Sequence, residues 1–166
     1  MIRPMRRGAQ ELPENETLDI LNTATSGVLA LSGDDGYPYA VPMSFVYSDG
    51  KMYFHSAVCG HKIDAIKRCE KASFCIIAED GIIPEKYTTE YKSVIVFGKI
   101  RIADGAEAVD ALKLLGRKYA PDGSHENLMS EINGSLSRVA VLIFDVETMT
   151  GKEAKELMVK RKKEER

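Results

Sequence analysis

Within residues 51–70 (KMYFHSAVCGHKIDAIKRCE) the hydrophobic period changes, and that change dictates a strand, a turn and a helix in quick succession. Over 51–56, Met52, Phe54 and Ser56 fall to one side and Lys51, Tyr53 and His55 to the other, the period of a strand. Beyond Gly60, Ile63 and Ile66 stand three apart and give a modest helical stripe. His61 and Lys62 occupy the first turn of that helix, where aligned peptide dipoles present partial positive charge. A lysine there costs a few tenths to about 1 kcal/mol. A bound anion would remove that cost, because free backbone N–H groups and the ammonium would both point at it. The residues leave two readings: a seat for a phosphate, or a lysine extended into water.

The flanking chain reads as further short strands with a few helices. Residues 1–12, with Arg3, Arg6 and Arg7, form an extended arm; Pro13, Glu14 and Glu16 open a helix that runs to Ala24 with Leu18, Ile20 and Leu21 on its apolar side. An apolar strand over 26–32 is followed by Gly33-Asp34-Asp35-Gly36, a tight hairpin signal. The next strand, 37–47, carries Pro42 in mid-run. A proline removes a ladder hydrogen bond, so it belongs at an edge or bulge, where a flat heteroaromatic ligand could bind or nothing need bind. These two strands and the strand at 51–56 make an antiparallel meander.

Farther on, 71–80 is a strand, 81–91 a loop broken by Pro84, and 93–102 a strand with Val94, Val96, Ile100 and Ile102 on one face. Gly98 inside it signals a bulge or a close backbone approach. Helices follow over 104–119, with Val109, Leu112 and Leu115 as the buried side, and over 124–133. A strongly apolar strand, 138–146, precedes a charge-dense helical tail over 153–166. Strands without regular crossover helices indicate an α+β, barrel-like architecture rather than a doubly wound parallel sheet.

Composition bounds the function. The 166 residues, 44% hydrophobic and 29% charged, suit one globular domain over 1–166. A net charge of −2 offers no basic field for nucleic acid, and no apolar run approaches the ~20 residues of a membrane span. The basic start lacks the apolar core of a secretory signal. Three cysteines without metal-ligand spacing point to free thiols in a reducing cytoplasm. The sequence carries no nucleophilic triad, no metal cluster and no P-loop.

Five segments in order carry a resemblance: MRRG at 5–8, DDGYPYAVPMSFVY at 34–47, KMYFHSAVCGHKIDAIK at 51–67, YKSVIVFGKIRI at 91–102 and TGKEAKEL at 150–157. Together they resemble the FMN-binding split β-barrel proteins related to pyridoxamine 5′-phosphate oxidase, and within them the nitroimidazole-resistance branch. The resemblance implies a six-stranded antiparallel split β-barrel with flanking helices, and a homodimer with FMN at the subunit interface. It implies that Val41, Pro42, Met43 and Ser44 border the flavin ring, largely through backbone, and that Phe54, His55, Ser56 and Ala57 continue that wall. His61 and Lys62 are expected at the FMN phosphate. Tyr91, Ser93 and Val94 approach from the neighbouring subunit, with Lys152 near the same anionic region. His55 matches a histidine bordering the active site and is a candidate proton donor or substrate contact.

The implied activity is an FMN-dependent oxidoreductase that uses NAD(P)H to reduce small electron-poor molecules, with nitroaromatics as one candidate class. The alternatives are a flavin-binding or redox-sensing protein without turnover, and a haem or deazaflavin binder on the same fold. Oxidation of pyridoxamine 5′-phosphate itself is not expected, because the C-terminal TGKEAKELMVKRKKEER lacks an arginine-rich substrate signature.

Overall fold

Alternating apolar residues drive a single antiparallel sheet that wraps around one main core. The computed structural model describes residues 3–164. Its sheet contains β1 (Ser26–Ser32), β2 (Pro38–Ser44), β3 (Val46–Ser48), β4 (Lys51–Ala57), β5 (Lys71–Ile83), β6 (Thr88–Ala103) and β7 (Val139–Glu153). The strand order is β2-β1-β5-β6-β7-β4-β3. Five α-helices flank it: α1 (Glu14–Thr23), α2 (His61–Arg68), α3 (Gly105–Tyr119), α4 (His125–Ser135) and α5 (Lys155–Glu164).

Seven strands replace the expected six because the stretch 37–47 breaks at Phe45. The break sends β2 to one end of the sheet and β3 to the other, so the anticipated meander does not form: β1 pairs β2, and β3 pairs β4. Phe45 itself is fully buried. Its N–H donates to the Tyr119 hydroxyl at 2.9 Å, and that hydroxyl donates in turn to the Thr25 carbonyl. A side chain from α3 thus satisfies the backbone that the ladder leaves unpaired.

The main core joins Phe45, Phe54 and Phe74, whose ring centroids lie 5.1–6.4 Å apart, with Leu21, Leu29, Met52 and Phe144. Val94, Val96 and Ile100 face it as expected, whereas Ile102 is 37% exposed at the far end of its strand. Gly98 meets both expectations placed on it. A Cβ there would run into the Asp145 carbonyl and the Phe144 ring, and the β6–β7 register shifts between Phe97 and Gly98.

Further features differ from the sequence reading. Residues 81–91 are not a loop: β5 and β6 pair out to Ile83 and Thr88, with only Pro84–Lys86 as a turn. Helix α3 buries Ala108, Ala111 and Leu115, and leaves Val109 and Leu112 half-buried. Those alanines cover the outer face of β4–β7 in a second small core with Val141 and Ile143. The arm, of which Met1 and Ile2 lie outside the described residues, is docked rather than extended beyond Gly8: Leu12 is 5% exposed and its N–H donates to the Gly151 carbonyl at 3.0 Å. In the charged tail, whose residues 165 and 166 also lie outside the description, Glu153 is buried and bound by Arg161 at 2.6 Å.

Candidate functional site

The turn from β4 into α2 is built on Gly60, whose φ of 113° lies where only glycine sits without strain. Ile63, Ala65 and Ile66 are buried and fix α2 against the barrel. The first backbone bond of the helix runs from the Asp64 N–H to the Gly60 carbonyl at 3.1 Å. The N–H groups before it have no intrahelical acceptor, and no side chain caps them. Lys62 stands in this turn, half-buried, with no hydrogen bond or ion pair among the described residues. Burial pushes its ammonium below the usual lysine pKa, and no carboxylate among the described residues offsets that.

His61, beside it, is turned toward the β1–β2 hairpin. Its ring stacks on Tyr39 with centroids 4.0 Å apart, and its Nε2 lies 3.4 Å from an Asp34 carboxylate oxygen. The other Asp34 oxygen is held by Arg68 at 2.6 Å. Two basic groups thus surround Asp34, while the acid within the turn itself, Asp64, is exposed.

Strand β2 has β1 as its one ladder partner and ends the sheet, so Pro42, opposite Val28, costs no ladder bond on the free side. Val41 packs against the core and Met43 is buried in it, while Pro42 and Ser44 face out. On β4, Phe54 is fully buried; His55 and Ala57 are exposed, and Ser56 is half-buried with its hydroxyl on the Ala57 carbonyl at 3.0 Å.

The remaining candidates lie elsewhere. Ser93 pairs Lys152 across β6 and β7, and the Lys152 ammonium sits 5.6 Å from the Tyr91 ring centroid. Both Ser93 and Lys152 line a cleft of about 730 Å³ on the outer side of β6–β7, with Ile95, Phe97 and the arm residues Arg3 and Met5. Val94 is fully buried, so its side chain takes no part there. Ser44 and His55 line a different cleft, under α3 and α4. The single chain therefore gathers the candidates into three places: the α2 turn with the β2 edge, the β6–β7 cleft, and the His55 cleft. The sequence reading missed the contribution of Arg3 and of the α3–α4 pair. The arginine-rich start was the available signal for the first, and no local pattern announced the second.

A family model described as pyridoxamine 5′-phosphate oxidase matches residues 13–153. No curated protein matches the chain. Among solved structures, a protein from Bacteroides thetaiotaomicron described as a candidate 5-nitroimidazole antibiotic resistance protein is 24% identical, with a TM-score of 0.74 and 86% of each chain covered. A conserved hypothetical protein from Mycobacterium tuberculosis is 19% identical, with a TM-score of 0.77 over 93% of this chain and 92% of that one. An FAD and haem binding protein from Mycobacterium smegmatis is 18% identical, with a TM-score of 0.70 over 88% of this chain and 74% of that one. These similarities, at such identities, speak for the shared fold. With the family match spanning most of its length, the chain belongs to the pyridoxamine 5′-phosphate oxidase family.

Proposed function

We propose that this protein is an FMN-binding flavoprotein whose phosphate seat is the start of α2, and that it reduces small electron-poor molecules with NAD(P)H. The observation that carries the reading is Lys62: a half-buried ammonium without a counter-charge among the described residues, in a helix turn whose N–H groups lack a side-chain cap there. A phosphate dianion would complement both features at once. The free edge of β2, with Pro42 in it, offers backbone groups beside which a flat, hydrogen-bonding ring fits. Flavin supplies the hydride or electron transfer; the chain's part is to bind, orient and exclude water. His55, exposed at the end of β4, is the candidate to donate a proton to the substrate.

The reading includes a homodimer. Ser93 and Lys152, the latter beside Tyr91, line a cleft to which Lys62 does not contribute, on an outer face where Ile95 and Phe97 are 40% and 37% exposed. A second copy that brings this face to the α2 turn would complete the flavin site and cover that apolar surface. A cytoplasmic location belongs to the same proposal. It is supported by the three free thiols Cys59, Cys69 and Cys75, and no described helix is long and apolar enough to cross a membrane.

Purified protein mixed with FMN should turn yellow at a roughly one-to-one ratio and run as a dimer in light scattering. Protein that ignores FMN in calorimetry, or takes up haem in its place, would remove the cofactor assignment. Anaerobic NADH or NADPH, followed by a nitroimidazole, then separates the roles. Bleaching and reoxidation support an enzyme, whereas an inert bound flavin supports a binding or sensing protein.

A further inference from the structure

The outer face of β4–β7 is apolar and covered along most of its length. Across that ladder Tyr53 lies opposite Ile143, His55 opposite Val141, and Ala57 opposite Val139. Helix α3 seals the Tyr53–Ile143 end through Ala108 and Ala111. Toward the other end the cover departs, and the polar His55 takes the next place in the row. Here α3 and α4 close over a cleft of about 380 Å³. Its walls are Leu112, Leu115, Ile132 and Val139; its polar points are Ser44, His55, Ser135 and Glu131. Gly116 sets the shape, because a Cβ there would strike the Leu128 side chain, so the glycine lets α4 approach α3 closely.

We propose that this cleft binds a small arylalkylamine, its ring between the aliphatic walls and its ammonium toward Glu131, with His55 and Ser44 at the floor. The volume sits at the lower end of the ~300–1,000 Å³ typical of small-molecule sites, and mostly apolar walls with a few convergent polar groups are their usual chemistry. Glu131 is the acid lining the cleft and no lysine or arginine lines it, so charge complementarity selects a cation over an anion. The inference adds to the flavin reading a substrate-sized site at two of the same residues, and it does not depend on FMN being bound.

The chain contains no tryptophan, so indole emission from a ligand is visible without background. Tryptamine at fixed concentration, titrated with the purified protein, should shift to shorter wavelength and saturate with a Kd on the order of 1 mM or tighter, as suits so small a ligand. Indole-3-acetate, of similar shape and opposite charge, should bind more weakly. Glu131→Gln should weaken tryptamine about threefold, the loss expected of one solvent-exposed charge pair. Ser135→Phe, which fills the cleft from a half-buried position, should abolish the shift; should its melting curve show an unfolded protein, Glu131→Gln decides. A shift that never saturates, indole-3-acetate binding as tightly as tryptamine, or tryptamine binding untouched by a folded Ser135→Phe overturns the proposal. FMN uptake is measured on separate samples: a colourless protein that still binds tryptamine sinks the flavin reading alone, and a yellow one that does not sinks this inference alone.

Discussion

At the start of α4, the Ser124 hydroxyl accepts from the Asn127 N–H at 3.2 Å and Glu126 stands in the first turn. At the start of α2, Gly60 has no side chain to offer, and Lys62 shares the first turn with the acid Asp64, which is exposed as Glu126 is. Both helices present the same orphan donors and the same dipole. In α4 the sequence satisfies one of them internally, with a hydroxyl, and both helices carry an acid in the first turn. In α2 it leaves them open and adds a desolvated cation, an arrangement that lowers the stability of the empty protein and raises the affinity for an anion. On the proposed reading, the contrast separates a helix end shaped for folding from one shaped for a ligand.

Five substitutions test that contrast. The largest effect belongs to Lys62→Ala, which should weaken FMN by about 1.5–3 kcal/mol in calorimetry, the range of a charge-assisted hydrogen bond, while riboflavin, lacking the phosphate, loses little. Equal losses would make Lys62 a structural residue and erase the distinction. Gly60→Ala meets no neighbour but must adopt a φ of 113°, so urea unfolding should show a loss of about 1–3 kcal/mol, with FMN affinity falling alongside. Ser124→Ala should cost about 0.5–2 kcal/mol of stability and leave FMN binding alone.

The smallest effect carries the most telling sign. Lys62→Met keeps the stem, removes the charge and should stabilise the unliganded protein by about 0.3–1 kcal/mol, whereas Glu126→Gln should destabilise it by a similar amount. The pH dependence follows from the depressed pKa. Below it the folded state carries an ammonium that burial disfavours, and the unfolded chain holds that proton more tightly. Wild-type stability attributable to Lys62 therefore rises as pH climbs through its folded pKa toward the ordinary lysine value. The advantage of Lys62→Met should shrink over the same window, and one that is flat with pH would detach it from that titration.

Local signals read well wherever one element sets its own neighbours. Strand β1 falls on 26–32 as its apolar run indicates, the β4–turn–α2 unit forms around Gly60, and Gly98 makes the close approach that a glycine inside a strand suggests. The misreadings arose where a distant group decides. Nothing within 37–47 says that Phe45 will leave the ladder, since its backbone is satisfied by Tyr119, far along the chain. The spacing of Val109, Leu112 and Leu115 fits a helical face, yet the outer sheet surface selects Ala108 and Ala111, whose small side chains let α3 lie close.

The same division holds for the site. Lys62 after a glycine turn was legible as a cation in the wrong helix end, because dipole and capping are local quantities. That it has no partner among the described residues, that His61 is drawn to Tyr39 and Asp34, and that Ser93 and Lys152 share a cleft with Arg3 required the folded chain. The sequence by itself determined strands β1 and β4, the helix starts and the place of the lysine. The tertiary structure alone decided which end of the sheet each strand reaches and which groups go unpaired, because pairing and burial depend on residues that meet only after the sheet has closed.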